Sequence, residues 1–233
     1  MSFTKEELLA GQVFLVDKNL NWTSFDVVNK LRYQLKKKFG LKKVKVGHAG
    51  TLDPLATGLL IICAGAKTKA INEFMGLPKT YTGTITLGAT TPSYDLETEV
   101  DQHYPIDHLN PTLLHEVTAQ FTGNLMQVPP NFSAIKKGGV KAYEAARKGE
   151  DLKLTPRPIT IHYFKLTRID LPRVDFEVRC SKGTYIRSLA HDFGQALNSG
   201  AHLSVLRRTA IGDYKVEQAL TVDQMIQKFH MES

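Results

Sequence analysis

The chain has 233 residues, enough for one domain of ordinary depth or one domain with a small appendage. Hydrophobic residues make up 42% and charged residues 23%, so a proper core can be built and global disorder is excluded. Lys and Arg outnumber Asp and Glu by 30 to 23, a net charge of +7 that favours an anionic partner.

Residues 1–11 are polar and charged, with no signal h-region, and no apolar run reaches membrane-spanning length. The expectation is a cytoplasmic protein with no membrane association. Residues 12–17 read as a strand. A helix follows, with Thr23 as cap, Asp26 completing a weak capping box, and Phe25, Val28, Leu31 and Leu35 at helical spacing on its inner face. From residue 31 to 45 there are seven bases (Arg32, Lys36, Lys37, Lys38, Lys42, Lys43, Lys45) and no acid. This run is either a solvated face or a surface that follows a phosphate backbone.

Residues 80–88 alternate like a strand, and residues 95–107 are acidic, so charge is polarised along the chain. Asn110-Pro111 opens a helix with Leu113, Leu114, Val117 and Phe121 on one face, ended by Gly123. Residues 127–157 are rich in Pro, Gly and Lys, with a short helical piece at 142–148, and read as a functional insertion. Residues 159–166 and 173–180 read as two strands joined at Leu171-Pro172. Residues 184–197 read as a helix with Ile186, Leu189, Ala190, Phe193 and Leu197 inward. Residues 221–229 form a final helix with a Thr-x-x-Gln box. Strands broken by helices at irregular intervals predict an α+β fold. Cys63 and Cys180 lie in apolar surroundings without metal-ligand spacing and read as buried thiols.

The chemistry concentrates in residues 47–69. Asp53-Pro54 stands in a loop between Gly50 and Gly58, ahead of the apolar run 59–64. Proline holds Asp53 extended, and the glycines permit close approach of another backbone or a ligand. By itself such a carboxylate reads as a structural cap. Residues 50–58 match the G-x-L-D-P-x-A-x-G context of the TruB-type pseudouridine synthases, preceded by Gly47-His48. Further blocks follow in family order: Lys79-Thr80-Tyr81, residues 127–136 with Gly139, Tyr143 and Arg147, residues 180–189, and Leu206-Arg207-Arg208-Thr209. The chain resembles this family over roughly residues 10 to 215.

The resemblance implies a mixed, largely antiparallel central sheet with flanking helices, the pseudouridine synthase fold, carrying an RNA-binding insertion. It implies that residues 1–215 form the catalytic domain and 216–233 a short helical tail, without the C-terminal PUA domain of many relatives. It further implies isomerisation of uridine 55 in the T loop of tRNA, with no cofactor, metal or guide RNA. Asp53 is then the essential carboxylate, with first contact at C1′, C2′ or C6 left open. Arg187 pairs with it, Tyr81 stacks on the uracil and serves proton transfer at C5, and Tyr185 hydrogen-bonds or buttresses the base pocket. His48 stacks in the gap left by flipped nucleotides, and Lys69 sits near the carboxylate or a phosphate. Lys136, Lys137, Tyr143 and Arg147 grip the RNA, with Leu206 also at the substrate. The partner is the T stem-loop of tRNA, with no obligatory protein partner and a monomeric state. A guide-dependent catalytic subunit and a tRNA-folding chaperone are the alternatives.

Overall fold

The computed structural model describes residues 3–150 and 152–231, the side chain of residue 231 apart. Asp151 of the insertion and the extreme ends of the expected domains lie outside the described residues. In chain order the elements are α1 (Lys5–Ala10), β1 (Gln12–Lys18), α2 (Ser24–Phe39), β2 (Val46–His48), β3 (Ala56–Ala64), a 3-10 turn (Gly65–Ala70), α3 (Ile71–Gly76) and β4 (Lys79–Leu87). Then come β5 (Ala89–Thr90), β6 (Gln102–His103), α4 (Pro111–Ala119), β7 (Gly123–Gln127), β8 (Lys136–Lys137), β9 (Val140–Lys141), α5 (Ala142–Ala146), β10 (Arg157–Asp170) and β11 (Arg173–Cys180). The chain closes with α6 (Ile186–Ala196), β12 (Ala201–Ile211), β13 (Tyr214–Lys215), a 3-10 turn (Val216–Gln218), β14 (Leu220–Thr221) and α7 (Val222–Met231). Two compact units result: Met1–Tyr81 with Leu206–Ser233, and Thr82–Val205.

The first unit is built on β3. Its strand order is β14-β1-β3-β12, with β2 and β13 on β3 and β12. β1 pairs antiparallel with β3 from Gln12↔Ala64 to Lys18↔Gly58, while β12 runs parallel to it at Leu206↔Ala56. A strand inside a sheet covered on both faces needs apolar side chains at every position, not at alternate ones. That is why residues 59–64 are uninterruptedly apolar. Leu60, Ile62 and Ala64 face a core shared with α2 and α7, including Val28, Leu31, Leu35, Met225 and Phe229. Leu59, Ile61 and Cys63 face the opposite core of Phe74, Ile211 and Val216.

Both capping boxes read from sequence form here. Thr23 and Asp26 exchange hydrogen bonds at the head of α2, and Thr221 and Gln224 do so at the head of α7. One expectation fails: Phe25 is 59% exposed, and Val27 takes the inner position. Phe25 sits at the margin of the apolar stripe, one turn before Val28, where the Arg32 guanidinium covers its ring at 6.0 Å.

The second unit carries the order β4-β11-β10-β7. β10 and β11 form a long antiparallel hairpin joined at a cis Leu171–Pro172 bond, and β7 pairs antiparallel with the start of β10. The inward residues expected on α6 are all buried. Phe193 meets Phe164 and Phe121 edge-on, with centroids 5.6 and 6.0 Å away. The fold is therefore the mixed, largely antiparallel α+β arrangement expected. Cys63 and Cys180 are both buried free thiols.

Candidate active site

Asp53 stands in the turn between β2 and β3, partly exposed, and its carbonyl accepts the Ala56 amide at 3.0 Å. Three clamps fix the backbone around it. The buried Arg208 guanidinium donates from Nε to the Leu59 carbonyl at 2.7 Å, from Nη2 to Gly50 at 3.1 Å and from Nη1 to Thr51 at 3.4 Å. Ser24, the first residue of α2, accepts the Leu52 amide on Oγ at 2.8 Å and donates to the Leu52 carbonyl at 3.2 Å. The buried Lys18 ammonium donates to the carbonyls of Trp22, Asn19 and Pro54 at 2.6, 3.0 and 3.5 Å. Burial pushes the Lys18 pKa down to about 8, with the Asp53 charge acting the other way and Arg208 adding to the depression. A loop whose carbonyls are held from three directions presents its side chain in one geometry, which is what preorganised chemistry requires.

In the same unit Leu206 pairs with Ala56, the first residue of β3, and accepts Thr57 Oγ1 on its carbonyl at 3.5 Å. His48 lies on β2, half-buried, with its ring beside the Gly50 backbone. Burial and then Arg208 hold its pKa below the usual histidine value, so the ring stays neutral. Tyr81 lies on β4 and is buried. Lys69 is exposed on the 3-10 turn and shares a groove with Arg32, Lys36 and Lys45.

In the second unit Arg187 occupies the first turn of α6 and is buried, not a surface arginine. Its Nε lies 3.6 Å from Asp95 Oδ2, Nη1 donates to the Ser93 carbonyl at 3.2 Å and Nη2 to the Phe132 carbonyl at 3.0 Å. The acidic stretch thus supplies a partner to a basic helix residue. One turn on, His191 stacks on Tyr94 with centroids 3.9 Å apart, and burial holds its pKa low. Tyr185 stands just before α6; its amide donates to Gln127 Oε1 at 2.8 Å and its carbonyl accepts Gln127 Nε2 at 3.0 Å.

In the insertion, Lys136 is exposed on a two-stranded hairpin with Lys141 opposite. The Lys137 ammonium is tied to the Leu152 and Lys153 carbonyls, both at 2.7 Å. Tyr143 has the cations of Lys141 and Arg147 over its ring at 5.4 and 5.6 Å, and Arg147 bonds Glu97 at 3.0 Å. Sequence reasoning missed Lys18, Ser24 and Asp95, and it read Gln127 as part of the insertion motif and not as a brace of Tyr185; a Lys closing an apolar strand was the one local signal for the first three.

Residues 36–186 match the TruB family pseudouridylate synthase (N terminal domain), and residues 187–233 the tRNA pseudouridylate synthase B C-terminal domain. The chain is 62% identical to the tRNA pseudouridine synthase B of Flavobacterium johnsoniae, over 94% of this chain and 96% of that protein. It is 54% identical to the same-named protein of Phocaeicola vulgatus, over 91% of each. Among solved structures, a Cbf5-Nop10-Gar1 complex matches with a TM-score of 0.74 at 28% identity, covering 97% of this chain and 56% of that one. An H/ACA RNP bound to a substrate RNA containing 2'-deoxyuridine matches at 0.70 and 26%, with the same coverage. The chain thus spans about half the length of these solved structures. It belongs to the TruB family of pseudouridylate synthases.

Proposed function

We propose that this chain isomerises uridine to pseudouridine at position 55 in the T loop of tRNA, with Asp53 as the essential carboxylate. The supporting observation is the Asp53 loop itself, locked by Arg208, Ser24 and Lys18 in a chain 62% identical to a tRNA pseudouridine synthase B. The reaction breaks the bond from C1′ to N1, forms one from C1′ to C5, removes the proton at C5 and adds one at N1. It is redox-neutral and internally balanced, so it calls for no cofactor. The target base must leave its stack, at a cost of roughly a few kcal/mol. A neutral, half-buried His48 ring is suited to filling the gap. Tyr81, a buried ring on β4, stacks on the uracil and passes the C5 proton. Arg187 and Tyr185 keep the roles that the family resemblance implies, and Leu206 borders the base. Lys136, Tyr143 and Arg147 grip the T stem-loop, Arg147 exchanging Glu97 for a phosphate. We place the enzyme in the cytoplasm as a monomer with no obligatory protein partner.

The test is pseudouridine formation on an unmodified tRNA transcript with no cofactor, comparing wild type with Asp53→Asn. The substitution keeps shape and removes the ionisable carboxylate, so turnover should fall by more than about a thousandfold while tRNA binding and melting temperature hold. Equal turnover in both overturns the role of Asp53. Tight binding with no turnover in either favours the chaperone reading.

A further inference from the structure

The basic run of residues 31–45 does not form a uniform cationic face. It folds into one wall of a groove of about 700 Å³, whose other wall is the 3-10 turn after β3. Arg32, Lys36, Lys42, Lys43, Lys45 and Lys69 line it, and among the described residues no acidic one does. Its floor is apolar and backbone, including Val44 and Gly65. Neighbouring lysines are sorted away from it. The Lys38 ammonium is used on the Phe229 carbonyl at 2.6 Å, and Lys67 lies over the Phe74 ring at 5.8 Å. Lys37 is exposed outside the lining. Arg32 is fixed in place by bonds to Asn29 Oδ1 and the Val46 carbonyl at 2.9 and 3.0 Å. Six cations held together with no acidic residue among the described ones lining the groove repel one another, and a polyanion relieves that repulsion while releasing its own counterions.

The groove's place in the fold fixes what reaches it. Asp53 precedes β3, whereas the groove opens at Gly65, after it. The segment of β3 paired with β1, Gly58 to Ala64, alone spans about 20 Å at ~3.3 Å per residue. We propose that this groove is a second RNA site, which takes phosphodiester groups of the tRNA about 20 Å from the target uridine, outside the T-arm hairpin. The proposal rests on tRNA being the substrate. An A-form RNA duplex rises less per base pair than B-form DNA and takes about seven steps to cover that distance, so the groove reads the folded tRNA and not the target loop.

The test compares two double variants with equal charge loss, Lys42→Gln/Lys43→Gln in the groove and Lys37→Gln/Lys67→Gln outside it. Full-length tRNA and an isolated T-arm hairpin are the ligands, and binding is titrated against salt. The groove pair should weaken full-length tRNA about tenfold and lower the log–log salt slope by about 1.5, as for two lost phosphate contacts. The control pair should change neither by more than a minor amount, and hairpin affinity and turnover should hold for both. Equal effects of the two pairs on tRNA, or an equal groove-pair loss on the hairpin, overturns the proposal. Wild-type turnover on the same transcript is read in parallel. Its absence would overturn the proposed reaction, while a groove-dependent salt slope would still stand.

Discussion

At the scale of single residues, the loop around Asp53 is held mostly by side chains that donate to main-chain carbonyls. Arg208 serves three of them along diverging directions. A lysine ammonium at that position cannot reach all three, so Arg208→Lys leaves a buried carbonyl unsatisfied at a cost of about 1–3 kcal/mol. Urea unfolding should show that loss, and kcat should fall more than tRNA affinity, because the loop geometry and not the RNA grip is altered. Asp192 on α6 tests burial in another way. Burial pushes its carboxyl up to about 6, so the folded state binds the proton more readily than the unfolded chain does. Its contribution to stability is therefore lost as pH rises from the ordinary carboxylate range through about 6. Asp192→Asn should raise the melting temperature at about pH 7.5, and the gain should shrink towards zero near pH 4.

Among the elements, β3 and β12 meet with almost no slack. Gly58 lies opposite Arg208 with φ at +105°, and a Cβ there would fall 2.3 Å from the Arg208 carbonyl oxygen. Gly58→Ala must push the two strands apart and displace the very residue that clamps the Asp53 loop. A stability loss of more than ~1 kcal/mol is expected, with turnover falling alongside, measured by denaturant midpoint and pseudouridine yield. The elements themselves were largely legible in the sequence, because their signals are local. The boxes at Thr23 and Thr221 and the apolar run of β3 each lie within a few residues of what they determine. Phe25 misled because helical spacing locates a stripe but not its margin. The site was legible only through motif resemblance. Ser24 and Lys18 act on carbonyls 28 and 36 residues away, and no local pattern encodes such a bond. Asp95 was read as part of a charged stretch, since its partner Arg187 lies on a helix far along the chain.

For the molecule as a whole, the core of the first unit depends on the chain's last helix. Phe229 is 1% exposed and meets the rings of Phe3 and Phe14 at 5.9 and 5.3 Å. Phe229→Ala should cost about 3–5 kcal/mol, read from denaturant unfolding. The same dependence bears on how the protein is made. The unit Thr82–Val205 is continuous, whereas the unit holding Asp53 joins Met1–Tyr81 to Leu206–Ser233. Translation at ~5–20 residues per second leaves β1, α2 and β3 waiting on the order of ten seconds for α7. Over that interval Leu31, Leu35, Leu60 and Ile62 lack the helix that completes their cover. The unit holding Asp53 therefore cannot complete its core until α7 has been made.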